Sequence, residues 1–129
     1  MTQEMSEARL QAVWALPPER RHAWFVQRVR ESGEAWGLYS KGWALAQDAQ
    51  GNDVLPLWPG PAFAQRCATR MWAAYAPRRV ALAELLEEML PELAAEGIPV
   101  GVFFNPDGEG WPVAAQELGA QLVGPAARA

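Results

Sequence analysis

The chain has 129 residues, half of them hydrophobic and a fifth charged, with a net charge of −4, one cysteine and one histidine. That length accommodates one domain with a core large enough to fold without disulfides, and a single cysteine excludes an internal disulfide framework. No apolar run approaches the ~18 residues of a membrane span, and the acidic balance argues against a general nucleic-acid binder.

The N-terminal MTQEMSEARL lacks the basic start and apolar run of a secretory signal, so a cytoplasmic protein is expected. The charge is split along the chain: residues 1–79 carry +3 and residues 80–129 carry −7. Such a split can orient a partner or a second copy.

Ser6 suits the cap of a first helix reaching Leu16, with Leu10, Val13 and Trp14 on one face. Pro17 and Pro18 end it, and Pro18 opens a second helix to Ser32, closed by Gly33. In that helix the spacing puts His22, Phe25, Val26 and Val29 on the apolar face, with Arg21, Trp24 and Arg28 on the other side. The lone histidine reads as a core or boundary residue rather than a ligand.

Trp36–Pro61 is the stretch around which the rest is arranged. Trp36–Tyr39, Trp43–Gln47 and Asp53–Trp58 read as strands, separated by the Ser40–Gly42 turn and the Asp48–Asn52 loop. Short connections predict an antiparallel meander, with Pro56 at an edge or bulge because it has no N–H for a ladder. Gly60-Pro61 starts a helix. Phe63, Cys67 and Met71 form one apolar row on it, and Ala68, Trp72 and Tyr75 another. Cys67 in that row reads as a buried inert thiol.

Pro77–Ala81 is a further strand and Leu82–Leu90 an amphipathic helix. Leu82, Leu85, Leu86, Met89 and Leu90 point inward, Glu84, Glu87 and Glu88 outward, and Pro91 should break or kink it before a last turn ending at Gly97. Ile98–Phe104 and Trp111–Val113 form a hairpin through the Asn105–Gly108 turn, and Ala114–Leu122 is a last helix. Residues 1–4 and 123–129 are expected to fray. The predicted fold is a single α+β domain: an antiparallel or mixed sheet of about five or six strands covered by helices, with two ββα-like units.

No motif carries chemistry. The three serines, one histidine and one cysteine do not assemble a nucleophilic triad or a zinc site by spacing, there is no P-loop, and no metal or cofactor is expected. The unusual feature is seven tryptophans. Trp14, Trp43 and Trp72 read as core; Trp24, Trp58 and Trp111 read as marginal. The candidate binding residues are Trp36, Trp58 and Trp111 with Arg66 and Arg70, the arginines following a helix start that can favour an anion. They support two readings: a non-enzymatic protein-binding module of the kind inhibitors and immunity proteins exemplify, or a small-molecule site or modest enzyme with a Trp-lined pocket and an arginine.

The series WGL, GWA, a D…G turn, LPLWP and A…C…W…Y.P resembles the small bacterial proteins of domain-of-unknown-function family 2750. So do V.L…L…LP.L…G at Val80–Gly97, V.VF..PDG.G at Val100–Gly110, and Arg21 with Phe25 upstream. The likeness runs from Pro17 to Leu122. It implies a compact α+β protein and brings no activity or catalytic residue.

Overall fold

Ser6 starts helix α1 (Glu7–Trp14) by accepting a hydrogen bond from the Arg9 N–H at 3.2 Å. Pro18 then occupies the first position of α2 (Pro18–Ser32), whose end is set by Gly33 in the left-handed conformation, φ 77°. The computed structural model describes residues 6–48, 50–105 and 110–128, the side chains of Met71, Trp111 and residues 124–128 excepted.

The buried stripe of α2 keeps Phe25 and Val29 of the face the spacing selects but not all of it. Arg21, Phe25 and Val29 are buried, whereas His22 and Val26 are only half-buried. Trp24 is half-buried too, packed edge-on against Phe63 at 5.7 Å and tilted against Phe103 at 6.1 Å. The reason is that α2 is covered on more than one side, so it buries a wider arc than one apolar stripe. His22 faces α6, where its Nε2 donates to Gln121 Oε1 at 2.6 Å.

Arg21 is 6% exposed, and its Nη1 donates to the Trp14 carbonyl at 3.3 Å. It thereby caps the C-terminal end of α1, where carbonyls lack helical partners and a cation is favoured. A buried guanidinium with one long bond stabilises little, because desolvation offsets the gain. Arg21→Met is therefore expected to hold or raise the urea midpoint. Arg21→Ala, which also empties the space of the stem, should lower stability by about 2 kcal/mol.

The strands form two sheets rather than a meander. β1 (Glu34–Tyr39) pairs antiparallel with β4 (Ala76–Ala81). β2 (Ala46–Gln47), β3 (Asp53–Leu57), β5 (Val100–Val102) and β6 (Trp111–Val113) follow in that spatial order, with β3 parallel to β5 and the other pairs antiparallel. One bridge joins the sheets: Trp36 and Trp58 exchange backbone N–H···O bonds of 2.8 and 2.7 Å. Because Trp58 takes the outer edge of β1 at Trp36, the strand after the turn has room only for the Tyr39–Trp43 bridge and the Ala44 N–H to Leu38 carbonyl bond.

Pro56 lies in a central strand, not an edge. It sits opposite Gly101, while Leu55 N–H and the Leu57 carbonyl carry the bonds toward β5. The missing N–H of Pro56 points the other way, into the gap between the end of β2 at Val54 and the Trp36–Trp58 bridge. A strand can thus be central and still have one unpaired position that tolerates proline.

Helix α3 (Pro61–Arg66) begins at Gly60-Pro61 as expected but stops early. Thr69 is extended and Arg70 adopts φ 56°, so the chain breaks into a 3₁₀ turn, Arg70–Trp72. The two predicted apolar rows therefore end. Phe63 and Cys67 stay buried, and Trp72 swings onto Trp58 with ring centroids 6.3 Å apart.

Pro91 does not break its helix. α4 (Leu82–Glu84) passes through a π-helical turn, Leu85–Met89, directly into α5 (Leu90–Glu96). Proline removes an N–H and crowds the carbonyl four residues back; widening the preceding turn relieves both. Leu85 and Leu90 are buried, Leu82, Leu86 and Met89 half-buried, and Glu84, Glu87 and Glu88 exposed. α6 (Ala115–Arg128) continues through residues expected to fray. The predicted turn residues Pro106, Asp107 and Gly108, and residues 1–4, lie outside the described residues.

The result is an α+β fold with two ββα units, β2–β3–α3 and β5–β6–α6. Among the described residues no helix is long and apolar enough to cross a membrane.

Candidate functional site

The β1–β4 ribbon brings half-buried aromatic rings and exposed arginines together. The turn Ser40–Gly42 closes through Ser40 N–H to the Gly42 carbonyl at 2.9 Å, with Lys41 at φ 65°. It returns Trp43 beside Tyr39, their rings 5.2 Å apart and nearly perpendicular at 83°. The Trp43 ring lies on the backbone of Gly37, where a Cβ would stand 2.8 Å from it. Glycine is required there because any side chain would occupy the place of the ring.

Over this pair β4 lays Arg78. Its guanidinium carbon is 4.3 Å from the Tyr39 ring centre and 5.8 Å from that of Trp43. Register explains the meeting: Arg78 stands opposite Gly37, one diagonal step from Tyr39. A cation stacked this way at an exposed site gains about 0.5–1 kcal/mol, which favours the stacked orientation without fixing it. On the other face of the ribbon Trp36 Nε1 donates to Glu34 Oε2 at 3.0 Å, and Arg79 Nε donates to Glu34 Oε1 at 2.6 Å.

The residues selected from sequence stand in different settings. Trp36 and Trp58 meet through their backbones, but Trp58 is 0% exposed, and its Nε1 donates to the Phe104 carbonyl at 2.8 Å. The tryptophan expected at the margin is the largest fully buried side chain described, because β1, Trp72 and Phe104 close over it. Arg66 lies in the last turn of its short helix, not near a helix start, and pairs with Glu7 of α1, whose carboxyl its hydrogen bond holds below the ordinary range. Arg70 is exposed at the strained start of the 3₁₀ turn. Trp111 sits in β6 opposite Val102, and its side chain lies outside the described residues.

Tyr39, Trp43 and Arg78 were not candidates from sequence. The Ser40–Gly42 turn did signal that Trp43 returns to Tyr39. Arg78 arrives from a strand that nothing local connects to β1.

Two further features bear on chemistry. Cys67 is buried, its Sγ donates to the Phe104 carbonyl at 3.3 Å, and burial pushes its pKa up to about 12. The thiol is held neutral, the opposite of an activated nucleophile. A cleft of about 700 Å³ beside α2 and α6 is lined by His22, Val26, Arg30 and Gln121 among others, and there the histidine stitches the two helices together.

No curated protein and no solved structure matches the chain. Residues 22–122 match the family model described as "Protein of unknown function (DUF2750)", which spans most of the elements above. With WGL in β1, LPLWP from β3 into the Trp58 bridge, and V.VF from β5 onward, the chain belongs to the DUF2750 family.

Proposed function

We propose that this chain is a non-enzymatic protein-binding module whose Tyr39–Trp43–Arg78 face receives an acidic surface of another protein. The observation that carries this reading is the exposed Arg78 guanidinium stacked 4.3 Å above Tyr39. An arginine already biased to lie flat on aromatic rings loses less freedom on binding than a free one, and a planar donor fork suits a carboxylate. Aromatic residues and arginine are also the types that dominate binding energy at interfaces. Lys41, exposed in the adjoining turn, adds to the positive character of this end of the ribbon. Cys67 and His22 support a non-catalytic role, since one is a neutral buried thiol and the other is engaged with Gln121.

The test is affinity capture of the tagged chain from its own host, followed by mass spectrometry, with Arg78→Glu as the paired bait. A stoichiometric partner captured by the parent chain and lost with Arg78→Glu, at unchanged thermal unfolding, is expected. A partner that both baits retain equally, or none with either, would sink the reading.

A further inference from the structure

We infer that the partner docks by strand addition: an extended, acidic segment of another protein pairs with the free edge of β4. This deepens the protein-binding reading above and rests on it.

The backbone pattern identifies the edge. Leu82 N–H bonds the Gly33 carbonyl, so residues 33 and 82 form a hydrogen-bonded pair, and by antiparallel alternation so do 35/80, 37/78 and 39/76. The remaining β1 residues turn their backbone groups away from β4, which is why Trp36 bonds Trp58 and the Leu38 carbonyl bonds Ala44. By the same alternation Pro77, Arg79 and Ala81 turn their backbone groups outward from β4. β4 is the outer strand of its sheet, and among the described residues nothing pairs with that side. Arg79 N–H, Ala81 N–H and the carbonyls beside them form a template for another strand.

Charge selects the occupant. Arg78 and Arg79 are both exposed on this strand, Arg78 held by its stack and Arg79 by Glu34. A second copy pairing edge to edge would set arginines against arginines, a repulsive arrangement. Pro77 at one end further shortens what a copy can pair. An acidic strand meets the opposite situation: with its carboxylates on one face, they fall beside Arg78 on the face that carries Tyr39. The helix after β4 carries exposed Glu84, Glu87 and Glu88, so the favourable stretch ends at the strand.

The experiment uses the full chain and two blocked synthetic peptides, one alternating glutamate with valine and one alternating lysine with valine. Amide exchange is followed by NMR. The glutamate peptide is expected to bind and to slow exchange of the Arg79 and Ala81 amides roughly tenfold or more, while the lysine peptide does neither. Arg78→Glu should weaken binding more than about tenfold. Ala81→Pro removes one outward N–H at φ −64°, which proline adopts, without touching the β1 ladder. It should leave thermal unfolding unchanged and weaken the peptide roughly three- to tenfold.

Binding of the glutamate peptide without protection of Arg79 and Ala81, or equally well to Ala81→Pro, would overturn strand addition and leave the protein-binding reading standing. Failure of the glutamate peptide to bind, equal binding of the lysine peptide, or self-association abolished by Ala81→Pro would also overturn it. Arg78-dependent partner capture decides the broader reading separately.

Discussion

Replacing Trp58 by alanine is expected to destabilise the protein by about 3–5 kcal/mol, a large part of the ~5–15 kcal/mol that holds a domain of this size. The side chain is 0% exposed and packs edge-on against Trp72. Its indole N–H serves the Phe104 carbonyl at 2.8 Å, an acceptor whose other donor among the described residues is the weak Cys67 thiol at 3.3 Å. Alanine removes the ring, leaves a cavity where the two sheets are bridged, and deprives a buried carbonyl of its strong donor. Trp58→Phe should cost less, since it keeps most of the packing and loses chiefly the hydrogen bond. Urea unfolding followed by far-UV circular dichroism measures both. A Trp58→Ala midpoint shift no larger than that of a surface change would show that the bridge does not depend on this ring. If Trp58→Ala no longer captures a binding partner, unfolding is the cause, because the ring is buried and cannot reach an interface.

Gly101→Ala is expected to be the next most damaging small change, at about 1–3 kcal/mol. Gly101 is the middle residue of β5, with Pro56 opposite on one side and Pro112 on the other. A Cβ there would overlap the ring of Phe104 and lie 2.9 Å from a Val54 methyl, closer than real structures allow. The Phe104 ring also lies against Gly110, where a Cβ would overlap it too, so it packs on the backbones of both glycines. One aromatic ring thus lies across two glycines, and its residue's carbonyl accepts from Trp58 and Cys67. Chemical denaturation of Gly101→Ala, Phe104→Leu and the double variant forms a cycle. The smaller leucine side chain of Phe104→Leu should recover part of the Gly101→Ala loss, and strict additivity would show that the two residues do not compete for the same space.

The ends of the elements were legible because they are decided within a few residues. Ser6, Pro18, Gly33, Gly60-Pro61 and Gly97 each act through their own dihedral angles or a hydrogen bond to the next turn, and the chain obeys them. The inward leucines and outward glutamates of the Leu82–Leu90 helix were legible for a similar reason, since one apolar face met one core. The tryptophans were not. Trp58 lies beside Pro59 and a turn, a local setting that suggests the margin, but its burial is set by Phe104, 46 residues away, and by the bridge to Trp36. Arg21 shows the same from the polar side, because its burial depends on the carbonyl end of α1 and on a helix covered from more than one direction.

Residue order alone was enough for the class of structure, the family, the position of nearly every helix and strand, and the inert character of Cys67. The family rests on a resemblance of motifs; the other properties follow from periodicity, turn chemistry and capping, which are short-range. Tertiary packing was needed to pair β1 with β4 rather than with β2, to carry Pro91 through a π-turn, and to bring Arg78 to rest on Tyr39 and Trp43. Strand pairing is chosen by which backbone edge remains free once the Trp36–Trp58 bridge forms, and that competition joins residues far apart in the chain. The candidate binding face is a product of that choice, so no local reading could place Arg78 in it.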